Sequence, residues 1–316
     1  MKAYLDEYVV GQEQLKKVLS MSVYHYLMGK GNQPFMMIGD SGTGKNHIIN
    51  TLKRYKEIRD RMPVVIYDMS KITPNGFEGD SIKDIIKLFK QTAKAKSMSG
   101  EEGIIYLDEI DKIVMPNMDK AGENVNRLVQ CQLLSMLSGT IIEDIDTSKI
   151  LFILGGAFAD LKELKKKREN YSTLGFCTKE NSSIEQNTLR DDLCKIGMQR
   201  ELLGRISAIV EMEQLDRSQL KEILTHGKIG PIAKKQREYE VDELKLVVEE
   251  NVIDLIVDRI VQENLGARSA VNIVEDIIGS YNFDMLEQNY HVMKIHERML
   301  THAEPPIFER YMTNEE

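Results

Sequence analysis

The stretch GDSGTGKN at residues 39–46 has the glycine spacing and the lysine of a phosphate-binding loop, with one departure from the pattern. Gly39, Gly42 and Gly44 let the backbone curl until successive N–H groups point at phosphate oxygens. Lys45 adds a point charge for β- and γ-phosphates, and a helix opening there adds its own partial positive charge. The pattern ends in Ser or Thr, whose hydroxyl binds magnesium, and Asn46 stands in that place. The second candidate is GIIYLDEID at 103–111, an apolar run that delivers Asp108 and Glu109. Beside a phosphate loop, Asp108 would hold Mg2+, usually through water, and Glu109 would polarise the water that attacks in phosphoryl transfer. Alone, each motif reads equally as a glycine turn or a solvated acidic turn. Found together, in this order and each after an apolar run, they predict a site for ATP and Mg2+. Asp40, Ser41, Gly42, Thr43, Gly44, Lys45, Asn46 and His47 are the expected nucleotide-binding residues, with Asn46 and Asp108 on the metal.

Such a site needs strands that end at one edge and helices that cover them. Short apolar runs at 34–39, 64–68, 103–108, 150–154 and 207–212 read as buried strands. Between the first of them, Ile48, Ile49, Leu52 and Tyr55 form one helical stripe, and Ile82, Ile85, Ile86 and Phe89 form another. Strands alternating with helices predict an α/β fold, a mostly parallel sheet covered on both faces, with ligands at the carboxyl ends of the strands. After about residue 214 amphipathic helices dominate, with 244–249 as one candidate strand. A large nucleotide-binding domain over 1–213 and a smaller, mainly helical α+β domain over 214–316 are expected. The polar stretch 178–192 reads as a surface loop, and LKELKKKREN at 161–170 as a solvated helix face or loop.

The 316 residues carry a net charge of −8, so the fold as a whole would not be drawn to nucleic acid or to an anionic membrane. Cys131, Cys177 and Cys194 include no C-x-x-C pair, which argues against a zinc ribbon and fits a reducing cytoplasm. The first residues lack an apolar signal stretch, and the longest apolar run, 150–159, is too short to span a bilayer. His296 and His302 are six positions apart, on different faces of a helix, and read as surface histidines rather than metal ligands.

Beyond the two phosphate motifs, LDEYVVGQEQLKKVL (5–19), DTSKILFILGGAFADL (146–161), ELLGRISAIVEMEQL (201–215) and GARSAVNIVEDII (266–278) resemble the ClpX branch of the AAA+ unfoldases, which feed proteins to the ClpP peptidase, and more distantly HslU. The resemblance covers nearly the whole chain. It implies an AAA+ P-loop large domain followed by the small AAA+ domain, a homo-hexameric ring, protein substrates and a cytoplasmic location. It also implies roles for single residues. Val9 and Val10 would pack on adenine, Arg205 would reach the γ-phosphate of the neighbouring subunit, and Arg268 would touch phosphate in its own subunit. Phe77 would grip polypeptide in the pore, and Leu174, Gly175 and Phe176 match the loop that docks on ClpP.

Four departures accompany the likeness. Asn46 replaces the magnesium-binding hydroxyl; GFEG at 76–79 replaces Gly-Tyr-Val-Gly and sets Glu78 beside the ring. The short acidic link SGTIIEDIDTSK (138–149) stands where the family has a basic pore-entrance loop, and no N-terminal zinc-binding domain is expected. The leading expectation is an ATP-driven unfoldase. A divergent member that binds nucleotide but barely hydrolyses it, serving as a regulatory or scaffold subunit, is the alternative. A nucleic-acid motor shares the fold but is disfavoured by the net charge.

Overall fold

The computed structural model describes residues 1–72, 79–118, 122, 124–172, 182–263, 266–279, 281, 287 and 290–310. The chain opens with α1 (Lys2–Tyr8) and α2 (Glu13–Leu27), then runs through β1 (Phe35–Ile38), α3 (Lys45–Arg54), α4 (Lys56–Arg59), β2 (Val64–Asp68), α5 (Ile82–Ala95), β3 (Gly103–Asp108) and α6 (Val125–Leu137). A short hairpin, β4 (Ile141–Ile142) and β5 (Ile145–Asp146), leads to β6 (Ile150–Gly156), α7 (Ala159–Ser172), α8 (Ser182–Ile196), α9 (Arg200–Gly204) and β7 (Ala208–Glu211). There follow α10 (Arg217–Thr225), α11 (Pro231–Val241), β8 (Lys245–Val248), α12 (Glu250–Gln262), α13 (Ala267–Gly279), β9 (Val292–Ile295), α14 (Glu297–Thr301) and β10 (Ile307–Glu309). The chain divides into two compact units. Met1–Leu5, Gln12–Asp40 and Lys45–Met212 form one; Asp6–Gly11, Ser41–Gly44 and Glu213–Glu316 form the other.

The first unit is built on a five-stranded sheet in the order β2-β3-β6-β1-β7, with every pairing parallel. Its strands read as continuous apolar runs because helices cover both faces; all seven residues of β6 are buried. The stripe foreseen on α5 is the buried one, Ile82, Ile85, Ile86 and Phe89. Ser81 starts that helix with a capping box: Asp84 accepts from the Ser81 backbone N–H at 2.8 Å and from its hydroxyl at 2.7 Å. Phe89 is fully buried where β3 begins, and a Cβ on Gly103 would sit 2.5 Å from its ring. Phe89→Ala is therefore expected to cost about 3–5 kcal/mol, the range for deleting a buried phenyl ring. A fall in the urea midpoint of that unit's transition checks it.

Two elements differ from the sequence-based expectations, and a third gains detail. Much of the polar stretch 178–192 is not a loop: α8 runs from Ser182 to Ile196, anchored by buried Leu189 and Leu193 one turn apart. Arg190 on this helix donates to the carbonyls of Leu203 and Ile206 at 2.6 and 2.7 Å. Tyr55 is past the end of α3 and half-buried, so only Ile48, Ile49 and Leu52 of that stripe are core. The acidic link is a two-residue hairpin turn in which Glu143 and Asp144 take φ of 50° and 63°, the double left-handed turn that matches strand twist.

The second unit packs α10 to α13 against a three-stranded sheet, β10-β9-β8, in which β8 and β9 are parallel and β10 is antiparallel to β9. Leu224, Val252, Val257, Ile260 and Met293 are fully buried in its core. Sequence reading foresaw β8 alone of these strands. The segment His296–His302 is one short helix with flanks: His302 is exposed, whereas His296 is half-buried and donates Nε2–H to the Pro305 carbonyl at 3.0 Å. Among the described residues no cluster of His, Cys, Asp or Glu has metal-binding geometry, and no helix is long and apolar enough to cross a membrane.

Candidate nucleotide site

Three strands of the large sheet end together at its carboxyl edge. Ile38 of β1 pairs with Gly156 of β6, and the Gly39 N–H donates to the Gly156 carbonyl at 3.1 Å. The chain then turns through Gly42 (φ 84°) and Gly44 (φ 100°), left-handed conformations that glycine takes without strain. At Lys45 it becomes α3, ten residues long, whose first N–H groups have no partner within the helix. A helix N-terminus of this kind carries a partial positive charge that favours an anion.

The Lys45 ammonium donates to the Gly39 carbonyl and, at 3.0 Å, to the Asp40 carbonyl. Burial lowers its pKa, and the charges of Asp108, Asp111, Asp40 and Glu109, in that order, oppose the drop. The lysine thus stands within the field of four carboxylates. Asp40 is itself neutralised by an ion pair with Lys162 of α7. A carboxylate inside a phosphate loop would repel the ligand, and Lys162 offsets that repulsion. Ser41 and His47 are exposed, while Thr43 is half-buried in the turn.

On β3, Asp108 is the last strand residue and half-buried. Glu109 follows with φ 56° and ψ 38°, a conformation rare for a side chain of its length, and it is exposed. Strain of this kind gathers at functional positions. Its N–H donates to Asp108 Oδ1 at 3.0 Å. Sequence reasoning missed Asp111, the second Asp of the same motif. Asp111 is nearly buried, and its Oδ1 accepts from the Ala157 N–H at 3.0 Å, tying the turn after β3 to the end of β6.

The residues present fit a hard, oxygen-binding cation. The Asn46 side-chain oxygen is buried and has no hydrogen-bond partner among the described residues, which is costly for an amide unless something binds it. Asp108 Oδ2 likewise accepts no hydrogen bond among the described residues. An amide oxygen and a carboxylate oxygen are ligand types that Mg2+ accepts.

Arg205 caps the C-terminus of α9 and is exposed; among the described residues its guanidinium has no ion-pair or hydrogen-bond partner. Val9 and Val10 are buried at 7% and 9% exposure, and Arg268 is in the first turn of α13; all three belong to the second unit. The structure therefore gathers Lys45, Asp108, Glu109 and Asp111 within the first unit. Phe77, Leu174, Gly175 and Phe176 fall outside the described residues.

Comparison with known proteins places the chain in a family. The AAA domain (Cdc48 subfamily) family model matches residues 31–209. The ATP-dependent Clp protease ATP-binding subunit ClpX of Bacteroides thetaiotaomicron is 31% identical, the match covering 93% of this chain and 78% of that protein. The protein of the same name from Treponema denticola is 32% identical over 88% of this chain and 74% of its own length. That of Bacteroides fragilis is 31% identical over 90% and 76%.

Proposed function

Because the chain belongs to the ClpX family of AAA ATP-binding subunits, we propose that it is an ATP-dependent protein unfoldase working as a homo-hexameric ring. The observation that carries this reading is the gathering of Lys45, Asp108 and Glu109 at one sheet edge, where a helix opens. In this reading the loop N–H groups and Lys45 bind the β- and γ-phosphates, with Lys45 moving from the loop carbonyls to the phosphate oxygens. Asn46 and Asp108 hold Mg2+, which supplies positive charge to the phosphates when bound. Glu109 orients the attacking water and takes up its proton. Val9 and Val10 pack on the base, and Arg268 reads the phosphates within its own subunit. Arg205, exposed and without a partner among the described residues, would complete the site of a neighbouring subunit. Phe77 grips the polypeptide, and Leu174–Phe176 docks on a ClpP-type peptidase. The large domain ends near residue 213 and the small one follows, in a protein of the cytoplasm. Net charge supports protein rather than nucleic acid as the substrate.

The direct test is ATPase turnover with magnesium as a function of protein concentration. Specific activity is expected to rise with concentration, since each site needs its neighbour's Arg205. No turnover at any concentration would leave the second reading, a regulatory member that binds nucleotide without using it.

Asn46 is the observation that favours that second reading. An amide is longer than a hydroxymethyl group, and magnesium demands near-ideal octahedral geometry. Asn46→Thr is therefore expected to raise ATPase activity or to lower the magnesium concentration that half-saturates it. Unchanged activity with an unchanged magnesium response would show that the amide serves as well as a hydroxyl.

A further inference from the structure

Tyr106 is two residues before Asp108 on β3, and the period of a strand sets the two on the same face. It is fully buried, and its hydroxyl donates to Asp108 Oδ1 at 2.8 Å. That same oxygen accepts the Glu109 N–H at 3.0 Å, so Oδ1 is held from two sides while Oδ2 takes no hydrogen bond among the described residues. The ring is seated against β6, where Tyr106 pairs with Ile153 and Gly155 is its diagonal neighbour. A Cβ on Gly155 would be 2.1 Å from the hydroxyl and 2.8 Å from the ring. Gly155 has no left-handed φ to explain it. What the position requires is space, and the tyrosine fills that space.

We propose that Tyr106 is a positioning residue for the metal-binding carboxylate, its hydroxyl clamping Asp108 Oδ1 beneath Gly155 so that Oδ2 alone is offered to the metal or its water. The proposal rests on the nucleotide-site reading and adds to it the group that fixes one of its ligands. Phenylalanine would fill the same core volume without bringing a polar atom that needs a partner. A carboxylate fixed at one oxygen loses less freedom when the other binds, which is the service an outer partner gives a metal ligand.

The test is a magnesium titration of ATP binding and of ATPase on the full chain, comparing the parent with Tyr106→Phe, Asp108→Asn and the double variant. Tyr106→Phe is expected to raise the half-saturating magnesium roughly tenfold, the size a hydrogen bond to a charged group carries. ATP binding measured in EDTA should stay within about twofold of the parent, since the clamp acts only on the metal ligand. In the Asp108→Asn background the change should have no further effect, because the two residues act as one unit. Gly155→Ala, which displaces the hydroxyl from the opposite side, should shift the magnesium response in the same direction. An unchanged magnesium response in Tyr106→Phe overturns the proposal, and so does a loss of its fold, which would make the hydroxyl a stability element. A parent that binds no ATP under any condition would instead overturn the site reading, and the clamp with it.

Discussion

Glu109→Gln is expected to bind ATP as the parent does and to hydrolyse it roughly 10²–10⁴ times more slowly, the range that one positioned general base contributes. The amide keeps the size of the side chain, so Lys45 and the α3 N-terminus are untouched. What disappears, on the proposed reading, is the carboxylate that would orient water and accept its proton. The backbone at Glu109 argues that this side chain is aimed by design. A left-handed φ of 56° is maintained there, and the same residue's N–H is bound to Asp108. Lys45→Ala should fail differently, by loss of binding of roughly 10- to 100-fold, the worth of a hydrogen bond between charged groups. Calorimetry with ATP in magnesium, alongside phosphate release, separates the two. If both variants hydrolyse ATP like the parent, the chemistry is not at this sheet edge.

How much of this was legible in the sequence varies with the physics of each element. β2 and β3 were readable to the residue, because a strand buried on both faces shows as an unbroken apolar run bounded by polar residues. The loop 39–46 was readable because glycine at two positive-φ positions is a backbone requirement written in residue type. α8 was not, since its outward face is polar and its hold on the protein depends on Leu189, Leu193 and the Arg190 contacts to carbonyls of Leu203 and Ile206. β9 and β10 were not, since Lys294 interrupts the first and Glu309 ends the second, so neither shows as an unbroken apolar run. Within the site, Asp108 and Glu109 were named by their motif, whereas the Asp40–Lys162 pair joins residues 122 positions apart. Only the fold could bring those together. The Tyr106–Asp108 contact falls between these cases. Its spacing of two was visible on the page, but the void over Gly155 that seats the ring was not.

Arg205→Ala is expected to lower ATP turnover roughly 10³–10⁵-fold, the effect of an arginine finger in phosphoryl transfer, while nucleotide binding changes far less. The guanidinium is exposed at the end of α9 and has no partner among the described residues, so removing it breaks no contact among them. A large loss of rate with an unchanged melting temperature would therefore point to action across a boundary. Mixing supplies the decisive measurement. Arg205→Ala subunits keep Glu109 but lack the finger; Glu109→Gln subunits keep the finger but lack the base. On the ring reading each homogeneous ring would be strongly slowed, yet in a mixed ring some junctions would face an intact Arg205 toward an intact Glu109. Activity should reappear on mixing and be greatest near equal proportions. A finger that acted within its own subunit could not be rescued in this way, because no subunit in the mixture would hold both residues. Normal turnover by Arg205→Ala, or a protein that stays monomeric with ATP at micromolar concentration, would defeat the ring. Rescue without any unfolding of a tagged protein substrate would retain the ring as an ATPase and turn the reading toward a regulatory or scaffold subunit.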